Sequence, residues 1–168
     1  YLSSFYSKLF SRAKVTGYDK SDNSIKLAKK TYKRSTYKNL SFTSKFSAIK
    51  NKSYDYITDT QCLSSMKSKE LDRNSAKIYS LLKNSGKLVS VSSLGNELVT
   101  HNFINNLTKN NLYVESMSEV PVNTIFGLKA YTKIVISKDK NNHIIEVNNY
   151  FKKLRKKISL LKVFDAFK

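Results

Sequence analysis

Helical stretches and short strand-like runs alternate four times along this chain, and the last two strand-like runs then follow one another without a helix between them. Few layer arrangements accept that order. Alternation calls for a mostly parallel sheet flanked by helices, and the final uninterrupted pair calls for an antiparallel last strand. The strand-like runs are Val15–Tyr18, Leu40–Thr43, Tyr54–Thr58, Lys87–Ser92, Leu112–Ser116 and Ala130–Ser137, each rich in β-branched or aromatic residues. Helical spacing of apolar residues marks 1–11, about 22–34, about 69–83 and 96–109. In the first of these Leu2, Phe5, Tyr6, Leu9 and Phe10 share one face, which predicts a packed helix. Punctuation agrees with this scheme. Ser21 or Asp22 is placed to cap the second helix, Gly86 to end the third in the left-handed region, and the pair Asn110-Asn111 to stop the fourth. The single proline, Pro121, is expected in a loop.

With 168 residues, 40% of them hydrophobic and 12% aromatic, the chain reads as one globular domain with a core of its own. No apolar run approaches the roughly 20 residues that span a bilayer, so no transmembrane segment is expected. Cys62 is the only cysteine, which excludes an internal disulfide and fits a reducing, cytoplasmic setting. A small buried hydrophobe is the favoured reading of Cys62 over a reactive thiol. His101 and His143 stand too far apart in sequence to indicate a metal site. The formal charge of +19 attracts phosphates. Nearly all of it is lysine, however, with only Arg12, Arg34, Arg73 and Arg155 able to fork onto phosphate or guanine. The surrounding excess of Asn, Ser, Ile and Tyr reads equally as A/T-rich coding, so nucleic acid is a possible partner and not the favoured one.

Chemistry is concentrated in AKVTGYDKSDNSIKLAKK, from Ala13 to Lys30. A strand ends there on Asp19, and a helix follows. Open α/β sheets hold the two hydroxyls of a nucleotide ribose with such a carboxylate, at the end where ligands collect. The alternative reading of Asp19 is a turn and helix cap.

Four segments in order carry a resemblance to class I S-adenosylmethionine-dependent methyltransferases, over about 1–138. VTGYDKSDNSIKLAKK (15–30) resembles the family's second strand and following helix. SYDYITDTQCLSSM (53–66) resembles the fourth strand and its loop. IYSLLKNSGKLVSVSS (78–93) resembles the helix, turn and fifth strand that often read LLKPGG before the strand, and FINNLTKNNLYVESMSEV (103–120) resembles the last helix and sixth strand. The resemblance implies a Rossmann-like, mostly parallel sheet with an antiparallel last strand, and S-adenosylmethionine as cofactor. It also implies that Asp19 binds the ribose, that Tyr18, Lys20 and Phe46 flank the nucleoside, and that Asp59 faces the reacting groups as the candidate catalytic residue. Asp55 is expected to support the turn into its strand, while Gln61 and Cys62 share the loop after Asp59.

Two departures from the pattern stand out. The family's first strand and glycine-rich loop are not in the sequence and are expected upstream of Tyr1, which reads the chain as an N-terminally truncated fragment, inactive as given. Ser44, Lys45, Phe46 and Ser47 also replace the acid that meets the adenine amino group in many members. TDTQCLSS lacks the NPPY-type sequence of enzymes that methylate amino groups of bases and glutamine, so the expected acceptor is a small molecule. RNA methylation and a non-catalytic, methyltransferase-like binding module are the alternatives. Residues 139–168 form a basic extension, with KKLRKK at 152–157 set among Ile144, Ile145, Val147, Tyr150, Phe151, Leu154, Ile158, Leu161 and Phe164. It predicts an amphipathic C-terminal helix docked on the core or a dimer mate, with a membrane-surface or RNA contact as the lesser reading.

Overall fold

The computed structural model describes residues 2–94, 97–124, 127–141, 143 and 145–153. It divides into two compact units, Tyr1–Lys50 and Asn51–Lys168. The first contains α1 (Leu2–Leu9), β1 (Val15–Tyr18), α2 (Asp22–Thr31), β2 (Leu40–Thr43) and a 3-10 turn at Phe46–Ala48. The second contains β3 (Tyr54–Thr60), a 3-10 turn at Leu63–Ser65, α3 (Ser68–Leu81), β4 (Leu82–Ser92), α4 (Glu97–Thr108), β5 (Tyr113–Thr124) and β6 (Gly127–Ser137), followed by a helix at 145–153.

In the first unit β1 and β2 pair in parallel, Val15 with Leu40 through Tyr18 with Thr43. Ser21 caps α2 by accepting the Ser24 N–H at 3.2 Å, and Ile25 and Ala28 turn the helix's apolar stripe inward. Helix α1 departs from expectation. Its buried positions are Ser4 and Ser7, while Leu2, Phe5, Leu9 and Phe10 lie exposed. Small side chains let α1 approach the strands closely. A Cβ on Gly17 would stand 2.9 Å from the Ser3 hydroxyl oxygen and 2.6 Å from the Phe42 ring. Asn39 then fastens the helix end. Its amide donates to the carbonyls of Ser7, Phe10 and Ala13, and its oxygen accepts the Ser7 hydroxyl at 2.6 Å.

In the second unit the sheet order is β3-β4-β6-β5, with β3 and β4 parallel and β6 antiparallel to both neighbours. Three strands thus run one way and the last strand in sequence runs against them, as the alternation predicts. Leu82, Leu88, Leu107, Leu112, Ile134 and Ile136 are essentially solvent-free at the centre of the core. Two boundaries differ from the sequence reading. Leu82 leaves α3 in extended geometry and already pairs with Tyr54, so Asn84-Ser85-Gly86 belongs to β4 instead of forming a left-handed helix stop. Pairing resumes only at Tyr56 with Lys87, and the slack is taken up where Gly86 passes the Tyr54 carbonyl, 2.7 Å from where a Cβ would sit. Pro121 lies in β5 opposite Ala130 and not in a loop. The strand is at the sheet edge, where a missing N–H is tolerated. The expected stop of α4 is present, with Asn111 in the left-handed region at φ 57°.

The 145–153 helix closes the same core. Val147, Tyr150 and Phe151 are buried, the Tyr150 hydroxyl lies 2.9 Å from the Thr132 hydroxyl, and Phe151 stacks on His101 with centroids 4.1 Å apart. This is the core-docked alternative for the tail. Ile144 and the remainder from Leu154, which carries most of KKLRKK, lie outside the described residues, as does Asn96 at the expected start of α4. Among the described residues, no helix is long and apolar enough to cross a membrane, and no cluster of side chains has the makings of a metal site.

Candidate functional site

The carboxyl end of β1 carries Tyr18 and Asp19, and successive short-range contacts fix both. The Asp19 N–H reaches the Thr43 carbonyl at 3.4 Å, carrying the strand pairing one step beyond β1. Its Oδ1 accepts the Ser21 N–H at 2.8 Å, and Ser21 in turn caps α2. The acid is therefore held at the N-terminus of α2, where the helix dipole favours negative charge. The turn-and-cap reading and the ribose reading of Asp19 are compatible, because Oδ1 serves the turn and the carboxylate still lies at the surface. Lys20 beside it is exposed.

The loop after β2 comes to the same end. Thr43 Oγ1 accepts the Lys45 N–H at 3.1 Å, and the Ser44 hydroxyl donates to Oδ1 of Asp22. That tie sets Phe46 against Tyr18 with centroids 4.6 Å apart and planes 24° from parallel. Of the residues singled out in the sequence, Tyr18, Asp19, Lys20 and Phe46 are thus brought together on one strand end. A third ring between the aromatic pair needs roughly twice that separation. A purine arriving here lies on an outer face, and Tyr18 is 43% exposed.

Asp59 belongs to the other unit, near the carboxyl end of β3. It is buried. Oδ1 accepts the N–H groups of Cys62 at 3.2 Å and Leu63 at 3.1 Å, and Oδ2 accepts the Ser90 hydroxyl at 2.8 Å. Burial pushes its carboxyl above the usual carboxylate range, and the hydrogen bonds from Ser90, Leu63 and Cys62 pull partly back. These contacts make Asp59 the brace of the loop that follows. Gln61 adds a second tie, with its side-chain oxygen accepting the Ser93 N–H at 3.3 Å, at a backbone φ of 64° that few non-glycine residues adopt. Cys62 is exposed, contrary to the expectation of a buried hydrophobe. The Asp59 hydrogen bond from its own N–H turns the residue outward at the start of the 3-10 turn. Asp55 is on the surface, paired with Lys83 at 2.8 Å.

Sequence reasoning missed Asn39, which knits α1 to the start of β2, and the Ser90 hydroxyl behind Asp59. Neither residue type marks itself in a sequence. One trace of the second is legible: Ser90 and Ser92 alternate with Val89 and Val91 in a strand whose inward positions are otherwise apolar.

The residues at the β1 end suit the nucleoside part of S-adenosylmethionine. A surface carboxylate anchored through one oxygen and an exposed aromatic face are the chemistry that ribose hydroxyls and a purine require. The four glycines of the chain are Gly17, Gly86, Gly95 and Gly127, and their spacing in the sequence gives no GxGxG-type run for the methionine part.

Comparison with known proteins agrees. A family model described as a methyltransferase domain matches residues 1–156. No curated protein matches the sequence significantly. Among solved structures, a SAM-dependent methyltransferase from Methanosarcina mazei superposes with a TM-score of 0.59 at 16% identity, over 75% of this chain and 82% of that one. A TehB-like SAM-dependent methyltransferase from Corynebacterium glutamicum gives 0.61 at 16% identity, over 82% and 74%. The geranyl diphosphate C-methyltransferase of Streptomyces coelicolor, solved with Mg2+, geranyl diphosphate and S-adenosyl-L-homocysteine, gives 0.60 at 10% identity, over 81% and 68%. The chain belongs to the methyltransferase-domain family and is a class I, S-adenosylmethionine-dependent methyltransferase.

Proposed function

We propose that the protein methylates a small-molecule acceptor and that the β1 end of the first unit holds the nucleoside of its cofactor. The observation that carries the cofactor assignment is Asp19, fixed through Oδ1 by the Ser21 N–H beside the stacked Tyr18 and Phe46 rings. Asp19 accepts the ribose hydroxyls, the exposed face of Tyr18 receives the adenine with Phe46 backing it, and Lys20 borders the ribose from the surface. With Ser44 spent on Asp22, no acid meets the adenine amino group from this loop. Affinity for the purine then rests on stacking.

S-adenosylmethionine supplies an activated methyl group, so the chain's own task is to hold the cofactor in place, align an acceptor and keep water out. Asp59 is assigned to that task as a positioning residue. All three of its hydrogen bonds run to the chain itself, and taking a proton from an acceptor would require giving one of them up. It holds residues 61–65 in one shape, including the strained Gln61 and the exposed Cys62.

Two observations support a small acceptor. TDTQCLSS lacks the NPPY-type sequence, and one solved relative carries geranyl diphosphate beside S-adenosyl-L-homocysteine. The test is to incubate the complete gene product with methyl-tritiated S-adenosylmethionine, total RNA and a small-metabolite extract, and then to separate the products by size. Label in the low-mass fraction is expected. Label retained in RNA would replace the small-molecule reading with the RNA alternative.

A further inference from the structure

The charge of the first unit is polarised along its strands. Residues 1–50 contain twelve Lys and Arg against two acids, whereas 51–168 contain nineteen against ten. All twelve cations are exposed. Both acids, Asp19 and Asp22, stand at the carboxyl end of β1. Eight of the cations gather at the other end. The stretch KKTYKRSTYK, 29–38, runs from the last turn of α2 into the turn before β2 with five cations and no acid. Asn39, bonded to the Ser7, Phe10 and Ala13 carbonyls, draws the segment bearing Lys8, Arg12 and Lys14 alongside it. Lys8 confirms the approach, with its ammonium 5.5 Å from the centre of the Tyr37 ring.

Structural duty accounts for only part of this. Lys29 and Lys30 complement the negative end of the α2 dipole. Lys33, Arg34 and Lys38 lie beyond the helix, and among the described residues none of them pairs with a carboxylate. Like charges packed in this way repel, and a polyanion relieves that repulsion.

We propose that this basic end binds the phosphate backbone of a nucleic acid without reading its sequence. The stretch 29–38 contains no Leu, Ile, Val or Phe, and the exposed Leu9 and Phe10 beside it lie at the end of α1, so the cations of the stretch meet phosphate without inserting apolar side chains of their own into lipid. Lysine outnumbers arginine there by four to one, which suits point contacts with phosphate over forked recognition of bases. Tyr32 and Tyr37, edge-to-face at 5.4 Å, put aromatic surface among the cations. Helix α2 spans ten residues, about 15 Å, between this end and Asp19. The patch thus lies apart from the nucleoside site, and the inference that it anchors a phosphate backbone does not depend on the small-molecule reading.

The experiment compares three proteins for binding to a fluorescein-labelled 20-nucleotide single-stranded RNA, by anisotropy from 50 to 200 mM salt. They are the wild type, a variant with Lys29, Lys30, Lys33 and Arg34 changed to Gln, and a control with the exposed Lys67, Lys69, Arg73 and Lys109 changed to Gln. Each phosphate contact contributes about 0.7 to the salt slope for a single strand. The patch variant should lower the slope by about 3 and weaken binding at least tenfold at 50 mM, with the control within about threefold of wild type. Lys33→Gln/Arg34→Gln, confined to the turn, should give about half that slope change and guards against a folding defect in the larger variant. Equal losses in patch and control variants would overturn the proposal, because the net charge alone would then bind. Binding to phosphatidylserine-containing vesicles with none to RNA would overturn it in favour of a membrane surface.

Discussion

Replacing Asp59 by Ala and by Asn separates bracing from catalysis. In the Ala variant the Leu63 N–H and the Ser90 hydroxyl, both buried, lose their acceptor, while the part-buried Cys62 N–H can turn to water. An unsatisfied buried donor costs about 1–3 kcal/mol. Ser90 recovers some of this through Ser92, whose hydroxyl is 3.3 Å away, and the variant no longer buries a carboxylate. The net loss expected for Asp59→Ala is about 2–3 kcal/mol. Asn keeps one oxygen for the two amide donors and turns an NH2 toward Ser90, whose hydroxyl accepts as readily as it donates. Asp59→Asn should therefore lie within about 1 kcal/mol of wild type in urea unfolding at pH 7. The sign of the pH effect follows from the raised folded-state pKa. The folded protein takes up the Asp59 proton more readily than the unfolded chain does, so that contribution is complete below 3.8 and is lost as pH rises through the folded value. Relative to Asp59→Asn, wild type should gain stability on acidification. Methyl transfer by Asp59→Asn should stay within about tenfold of wild type. Equal destabilisation by Ala and Asn would refute the bracing argument, and an Asn variant of native stability with no activity would restore Asp59 as a catalytic group.

Two further predictions concern the frame around the sites. His143 accepts the Val114 N–H on Nδ1 at 3.0 Å, and burial lowers its pKa from 6.5, so the folded protein holds it neutral. Stability present above about pH 6.5 should fall as pH drops through that value toward the lower folded pKa, by at most about 1.4 kcal/mol per pH unit, and His143→Ala should flatten this part of the urea-midpoint profile; identical profiles would contradict it. Gly17→Ala places a Cβ 2.6 Å from the Phe42 ring in the β1–β2 pair and should cost about 1–3 kcal/mol by overpacking, and a thermal midpoint at or above that of wild type would count against the close approach.

What could be read from the chain follows from how local each signal is. Val15–Tyr18, Asp19 and the Ser21 cap are consecutive, so strand, acid and helix start announce themselves together. The antiparallel last strand was equally legible, because no helix separates it from its predecessor. The start of β4 was hidden, since Asn84-Ser85-Gly86 has the composition of a helix stop, while pairing with Tyr54 decides the conformation. Helix α1 misled by periodicity. Its apolar stripe is exposed because Ser4 and Ser7, and not the larger side chains, fit against the strands. The outward Cys62 and the buried Asp59 depend on a hydrogen bond to a serine 31 positions away from the acid, which no local pattern reveals.

The role of Asp19 is tested most directly by isothermal titration of S-adenosyl-L-homocysteine into the complete gene product and its Asp19→Ala variant. Two charge-assisted hydrogen bonds to the ribose, each worth about 1.5–3 kcal/mol net of exchange with water, predict a loss of at least about 3 kcal/mol, roughly a hundredfold or more in Kd, with the fold intact by circular dichroism. An Asp19→Ala variant that binds as tightly as wild type would contradict the assignment of the β1 end to the nucleoside.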